Sequence, residues 1–327
     1  MAGLQPGDKV DHFVLRRQLG QGGMAMAYLA EDTRTGETVV LKLPDVMQLG
    51  DAATFERFRR ELAIGQKLQH PAAPRLVAAR EDGNRPYLAL AFIDGETIEQ
   101  RLQAGPLPVP AVVGYANQLA DLLAYCHRLG IVHRDLKPGN LIADAAGRLH
   151  VIDFGIATVK GMARVTWRGF SGLAGTAEYM APEKIRGERG TPRVDIYAFG
   201  ITLYEMLTGK LPFYDEHPLT TMHLHLTATA APVRSLRPET PEYLAAIIAR
   251  CMRRRPEERY AHGGALLADL ANPGQVDLSY ISRPDPPLAG AATARKAEDN
   301  PVRFALITAL AAVAITLVLL FLLYERR

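Results

Sequence analysis

Ile131-Val132-His133-Arg134-Asp135-Leu136-Lys137-Pro138-Gly139-Asn140, followed thirteen residues after Asn140 by Asp153-Phe154-Gly155, is the stretch on which the reading of this chain turns. It sets an acid, a lysine and an amide on one short loop, with a second acid on the next. Carboxylate and amide oxygens suit a hard cation, and a lysine among them suits an anionic group.

The segments on either side differ in periodicity. From Phe13 to Ile93 the pattern is mostly strand-like: Phe13-Val14-Leu15, Ala27-Tyr28-Leu29-Ala30, Thr38 to Leu43 and Tyr87 to Phe92, separated by turn signals at Thr35-Gly36 and Asp82-Gly83-Asn84. One helix interrupts them, with Phe55, Phe58 and Leu62 at helical spacing and Glu61 beside that face. After Leu107 the chain turns helical. Val109 to Leu129 and Asp195 to Leu207 are predicted helices, and Thr208-Gly209 is the stop signal of the second. A small sheet-rich lobe followed by a larger helical lobe results.

Leu19-Gly20-Gln21-Gly22-Gly23-Met24-Ala25-Met26-Ala27 lies between two of the strand-like runs. Glycine lets backbone N–H groups approach a phosphate closely, although a plain hairpin turn looks similar. Its position ahead of Lys42, which sits between Leu41 and Leu43, and ahead of Glu61 favours the phosphate reading. Glu61 is the preferred partner of Lys42 because it borders the apolar stripe; Glu56 is the alternative.

These motifs together resemble the protein-kinase superfamily, with the nearest likeness to bacterial membrane-attached Ser/Thr kinases of the eukaryotic-like type, from about Asp11 to about Leu270. The resemblance implies an α+β, two-lobed protein-kinase fold with the nucleotide in the cleft between lobes. It implies that Asp135 orients the acceptor hydroxyl and takes its proton, and that Lys137 neutralises charge on the transferred phosphoryl. Lys42 grips the α/β-phosphates and pairs with Glu61, and Asn140 and Asp153 hold Mg²⁺, with Mn²⁺ as a substitute. ATP contacts are expected at Leu19, Gly20, Gln21, Gly22, Gly23, Ala27, Val40, Lys42, Leu90, Ala91, Ile93 and Ile142. Backbone groups near Ala91 and Ile93 meet the adenine, and Leu90 fills the gatekeeper position. His133 and Phe154 pack the arrangement, Asp195 holds the catalytic-loop backbone, and Glu183 pairs with Arg259. Arg134 implies control by activation-segment phosphate. Thr166 and Ser171 are the candidate autophosphorylation sites, and Thr176 is read as a substrate-recognising residue bonded to Asp135 and Lys137.

Two positions depart from the family pattern. Ala25 replaces its third glycine, and Ala27 replaces a valine, while Val40 stands where alanine is usual. The second pair exchanges small for large, so the apolar volume over the adenine is conserved, the kind of swap such sites tolerate best.

The 327 residues carry a net charge of +3, which demands no nucleic-acid partner. Cys126 and Cys251 fall in separate apolar helical segments and read as buried free thiols, as suits a reducing cytoplasm. Phe304 to Leu323 is a run of twenty uncharged residues. As a helix it is about 30 Å long, a bilayer core's thickness. The expected organisation is therefore a kinase domain over 1–271 (N-lobe about 11–92, C-lobe about 95–271), a Pro/Ala-rich tether over 272–303, a transmembrane helix over 304–324 and a tail over 325–327. The kinase domain is expected on the cytoplasmic face of a bacterial inner membrane. No extracellular sensor is expected on this chain, so any signal is expected from a partner, from lateral dimerisation or from cytoplasmic input; protein substrates with Ser/Thr acceptors, the membrane and a homodimer are the anticipated partners. Two other readings stand beside the active Ser/Thr kinase: a pseudokinase serving as a membrane scaffold, motivated by Ala25 and Ala27, and a small-molecule kinase of the same fold, which Ala181-Pro182-Glu183 disfavours.

Overall fold

The computed structural model describes residues 4–21, 25–44, 52–81, 85–154, 158–159 and 177–288. Strict alternation builds the first layer. In β4 (Thr38–Pro44), Val39, Leu41 and Leu43 turn to one face and Val40 and Lys42 to the other. The first face closes a small core with Phe13, Leu15, Tyr28, Ala30, Tyr87 and Ala89. Six strands, β1 (Lys9–Val10), β2 (Phe13–Gln21), β3 (Ala25–Asp32), β4, β5 (Leu76–Arg80) and β6 (Tyr87–Ala91), pair antiparallel in the order β1-β2-β3-β4-β6-β5. Helix α1 (Ala52–Lys67) lies against this sheet through Phe58 and Leu62, which pack with Leu88. β1 and β5 were not legible in the sequence. β1 is two residues long, and Leu76-Val77-Ala78-Ala79 shows neither alternation nor aromatic residues.

The chain leaves the sheet through β7 (Gly95–Thr97), which pairs with β9 (Leu141–Asp144), itself paired with β10 (Leu149–Val151). Gly95 makes this passage possible: a Cβ there would stand 2.5 Å from the Ala143 carbonyl oxygen and 2.8 Å from Ile142 Cγ2. The Thr97 side chain then caps α2 (Ile98–Leu102) in a capping box with Gln100.

The larger lobe surrounds one apolar core. It is built from α3 (Val109–Arg128), α4 (Pro182–Ile185), α5 (Arg193–Thr208), α6 (Pro218–Thr227), α7 (Val233–Leu236), α8 (Glu242–Cys251) and α9 (Gly263–Ala271). α5 is buried on nearly every face, as expected of a helix apolar all round. It ends where the sequence signals, at Gly209, whose φ of 67° is the left-handed cap glycine adopts without penalty. The catalytic-loop strand β8 (Ile131–Val132) pairs with β11 (Thr158–Val159). Cys126 and Cys251 are both buried and unbonded to each other.

Residues 273–288 differ from the expected tether. They form short turns at Pro273–Gln275 and Leu278–Ile281, and Arg253 donates to the carbonyls of Arg283 (3.0 Å) and Pro284 (2.7 Å). The prolines of this segment read as a linker in sequence, but arginines about thirty residues away satisfy its backbone. The expected transmembrane run and the remainder of the tether lie outside the described residues. Among the described residues no helix is long and apolar enough to cross a membrane.

Candidate active site

β4 delivers Lys42 to the cleft. Alternation points Lys42 away from the small core, toward α1, where Lys42 Nζ lies 2.5 Å from Glu61 Oε1. The same ammonium is 3.1 Å from Asp153 Oδ1, 111 residues further on. One cation thus joins the sheet, the helix and the loop after β10. Burial opposes the charge of Lys42, but the two carboxylates outweigh it and hold its pKa above the ordinary lysine value. Burial and the charge of Asp153 raise Glu61, a rise that the contact with Lys42 resists. Glu61, not Glu56, is the residue that meets Lys42.

The catalytic loop is fastened from below by Asp195, fully buried on α5. Its Oδ2 accepts from the His133 N–H and its Oδ1 from the Arg134 N–H, both at 2.8 Å. His127 Nε2 lies 2.9 Å from the same Oδ2, and the Gly263 N–H donates to His127 Nδ1 at 2.9 Å. A backbone amide can only donate, so Nδ1 accepts and Nε2 carries the hydrogen given to Asp195. Burial would raise the Asp195 pKa, but the hydrogen bonds from His127 and from the Arg134 amide hold it below the usual carboxylate value. Arg134 adopts a φ of 72° to present its amide this way. That left-handed conformation costs a non-glycine residue about 1 kcal/mol. A charge-assisted hydrogen bond of about 1.5–3 kcal/mol offsets it. His127 was not singled out in the sequence, where nothing local distinguishes it from other residues of an apolar helix.

On this base the chemistry-bearing side chains converge. Lys137 Nζ sits 3.2 Å from Asp135 Oδ1 and 3.0 Å from Oδ2. Asn140 Nδ2 donates to the Asp135 carbonyl (2.7 Å) and to Asp135 Oδ2 (2.9 Å). Its donor end is therefore committed to the loop, which leaves the amide oxygen as the end able to meet a cation. His133 packs edge-on to Phe154 at 4.7 Å, and burial lowers its pKa. Asn140 and Asp153 supply hard oxygen donors, the chemistry a divalent cation requires; clusters of three or more ligands are absent among the described residues.

The remaining predicted nucleotide contacts distribute along the sheet and the connector. Leu19, Gly20 and Gln21 end β2, where Gly20 pairs with Ala27. Ala27 pairs with Lys42, and Val40 pairs with Leu90, so the exchanged small and large residues stand on adjacent strands. The Ala91 N–H donates to the Arg75 carbonyl at 2.8 Å, which narrows any adenine contact of Ala91 to its carbonyl. Ile142 is half-buried in β9, opposite Thr97. Gly22, Gly23, Thr166, Ser171 and Thr176 lie outside the described residues.

Two further features were not expected. Tyr179 donates to Glu205 Oε2 at 2.6 Å. A cavity of about 460 Å³ adjoins Lys137 and Asn140 and is walled by Glu99, Glu178, Tyr179 and Glu205. Burial raises the Glu205 pKa against the Tyr179 hydrogen bond, and the carboxylates of Glu99 and Glu178 add to the rise.

A two-lobed fold with a strand lysine, a helix glutamate and two acid-bearing loops meeting in the cleft defines the phosphotransferase class. The profile of the protein kinase domain matches residues 13–269, and the chain belongs to that family. It is 32% identical over 266 residues to the serine/threonine-protein kinase PrkC of Bacillus subtilis, covering 81% of this chain and 41% of that protein. It is likewise 32% identical over 259 residues to the serine/threonine-protein kinase PknL of Mycobacterium tuberculosis, covering 79% of this chain and 64% of that protein. The match to PrkC thus spans about two-fifths of that protein's length.

Proposed function

We propose that this protein transfers the γ-phosphoryl group of ATP to serine or threonine hydroxyls of proteins. The observation that carries the reading is the double engagement of Lys42, which touches Glu61 and Asp153 at once. Lys42 binds and orients the α/β-phosphates. Asp135 accepts the hydroxyl's proton and aims its oxygen at the γ-phosphorus. Lys137 stabilises the charge that accumulates there. Asn140 and Asp153 hold Mg²⁺, with Mn²⁺ able to substitute. The bound cation supplies charge neutralisation on the triphosphate. Preorganised charge of this kind acts mainly on the transition state. Lys137 beside Asp135 and the Ala181-Pro182-Glu183 motif support a protein Ser/Thr acceptor over a small molecule.

Phe304–Leu323 is proposed as a single membrane span with the kinase domain on the cytoplasmic side of a bacterial inner membrane. Its twenty uncharged residues support this. Thr166 and Ser171 are the proposed sites of phosphorylation in trans, within a homodimer.

The test is transfer of labelled γ-phosphate by the full chain with Mg²⁺, beside Asp135→Asn, with modified residues mapped by mass spectrometry. Label on Ser or Thr in the parent alone supports the reading. ATP binding without transfer to itself or to generic substrates overturns it in favour of a scaffold.

A further inference from the structure

Arg253 and Arg254 face two ways. Their side chains reach the segment 277–288, while their carbonyls accept from Arg259. Arg253, 4% exposed, donates to the carbonyls of Arg283 and Pro284 and to Glu258 Oε2 (2.6 Å). Arg254, 2% exposed, places NH1 3.1 Å from Asp285 Oδ2, donates to the carbonyls of Asp285 and Ala228, and gives its own N–H to the Asp285 carboxylate. On the opposite side, Arg259 Nε donates to the Arg253 carbonyl (2.6 Å) and its NH2 to the Arg254 carbonyl (3.0 Å). The same guanidinium holds Glu183, which follows Ala181-Pro182.

A continuous path of hydrogen bonds therefore runs from Asp285 through the 253–254 backbone and Arg259 to Glu183. Apolar packing supports the segment as well: Ile281 packs against the core of the larger lobe, and the Tyr280 ring lies under Arg250 and Arg283. Val276 and Leu288 are buried at its two ends. Between them lies a cavity of about 400 Å³, lined in part by Phe213, Val233, Ile248, Met252 and Ile281. Beside this packing, the contacts of Arg253 and Arg254 with Asp285 tie the segment to the 253–254 backbone, and a competing charge at Asp285 can break them.

We propose that residues 277–288 are a latch. Docked, they fix Arg253 and Arg254, and through Arg259 they fix Glu183 and the chain leading back toward the catalytic loop; released, they loosen that anchor. The latch occupies the stretch between the catalytic domain and the Phe304–Leu323 run, so a pull or a partner acting there reaches the active site by this route. Only the activity arm of the test rests on the proposed phosphoryl transfer.

The test uses the full chain in detergent micelles, unaltered and as Asp285→Arg, which sets a third cation against Arg253 and Arg254. Asp285→Asn is the milder variant and decides the matter if the first fails to fold. Hydrogen exchange is followed at Ser282 and Arg283 in the latch, and at Ile185, Arg186 and Glu188, whose amides bond within the Glu183 turn. The expected result is exchange faster by tenfold or more at the latch, faster by several-fold at 185–188, and autophosphorylation lowered in step. Latch amides that exchange as fast as free peptide in the unaltered chain would overturn the proposal, as would a released latch with unchanged exchange at 185–188. A chain without any transfer activity would sink the kinase reading alone, since the exchange comparison still decides the latch.

Discussion

Arg259 grips Glu183 through two parallel 2.8 Å hydrogen bonds, with both side chains buried. The guanidinium's other donors reach the carbonyls of Arg193, Arg253 and Arg254, so all five N–H groups are used. It also lies 4.7 Å from the Tyr197 ring centroid. Removing one partner would leave an uncompensated buried charge, at a cost of about 3–5 kcal/mol. Glu183→Ala is therefore expected to lower the unfolding free energy by that amount, read as a lower urea midpoint at unchanged m. Arg259→Lys should also destabilise, because an ammonium cannot reproduce a five-donor planar fork. Equal midpoints for Arg259→Lys and the parent would refute this.

Lys42 is expected to matter for rate far more than for folding. Lys42→Met removes the single ammonium shared by Glu61 and Asp153 and leaves the two carboxylates facing each other. Loss of one preorganised electrostatic group costs about 10²–10³ in kcat. Glu61→Gln keeps a hydrogen-bond acceptor for Lys42 and should lose less. Steady-state rates of both variants, with circular dichroism to confirm folding, check the ranking. A Glu61→Gln loss larger than that of Lys42→Met would reverse the assigned roles.

Asp195 sets the catalytic loop, and its folded pKa lies below the usual carboxylate value. A carboxylate depressed on folding contributes stability that is present above its unfolded pKa and is lost as pH falls through the folded value. Asp195→Asn should therefore destabilise at neutral pH by about 1–3 kcal/mol for each donor left without an acceptor, since an amide keeps one accepting oxygen and its NH2 cannot accept from the His133, Arg134 or His127 N–H. Its deficit against the parent should shrink below about pH 3.8, the ordinary carboxylate value. Urea titrations at pH 7 and pH 3 test this; a constant deficit would contradict it.

The catalytic loop, Lys42, Glu61 and Asp153 were legible because each is a short string of chemistry-bearing residues whose spacing survives without knowledge of the fold. The strands of the upper lobe were legible where alternation was strong, as in Thr38 to Leu43. Long-range polar closure was legible only where the family resemblance carried it, as for Glu183 with Arg259 and Asp195 with the catalytic-loop backbone. His127 supports Asp195 from 68 residues away, and Tyr179 meets Glu205 from 26, with no local pattern to mark either pair. The 273–288 segment shows the same blindness in reverse. Its prolines describe the local chain correctly as neither helix nor strand, yet whether it is loose depends on Arg253 and Arg254, whose side chains pack inward rather than into solvent.

His225 gives the lobe a pH dependence of definite sign. It is fully buried on α6, between Tyr197, whose hydroxyl lies 2.7 Å from Nδ1, and the Phe213 ring at 4.9 Å. Burial pushes its pKa down to about 3, from an ordinary value of 6.5. The unfolded chain therefore takes up a proton below pH 6.5, which the folded chain refuses until about pH 3. Stability must fall as pH drops through that window, by as much as about 1.4 kcal/mol per pH unit for one proton. Burial lowers His133 as well, which adds a contribution of the same sign. His225→Asn should flatten the slope between pH 6 and pH 4 by nearly one proton, even if its stability at pH 8 is also reduced. Urea midpoints collected across that range separate the two effects, because the slope reports proton linkage and the offset at pH 8 reports packing. A slope identical to the parent's would mean that His225 takes up its proton in the folded protein as readily as in the unfolded one.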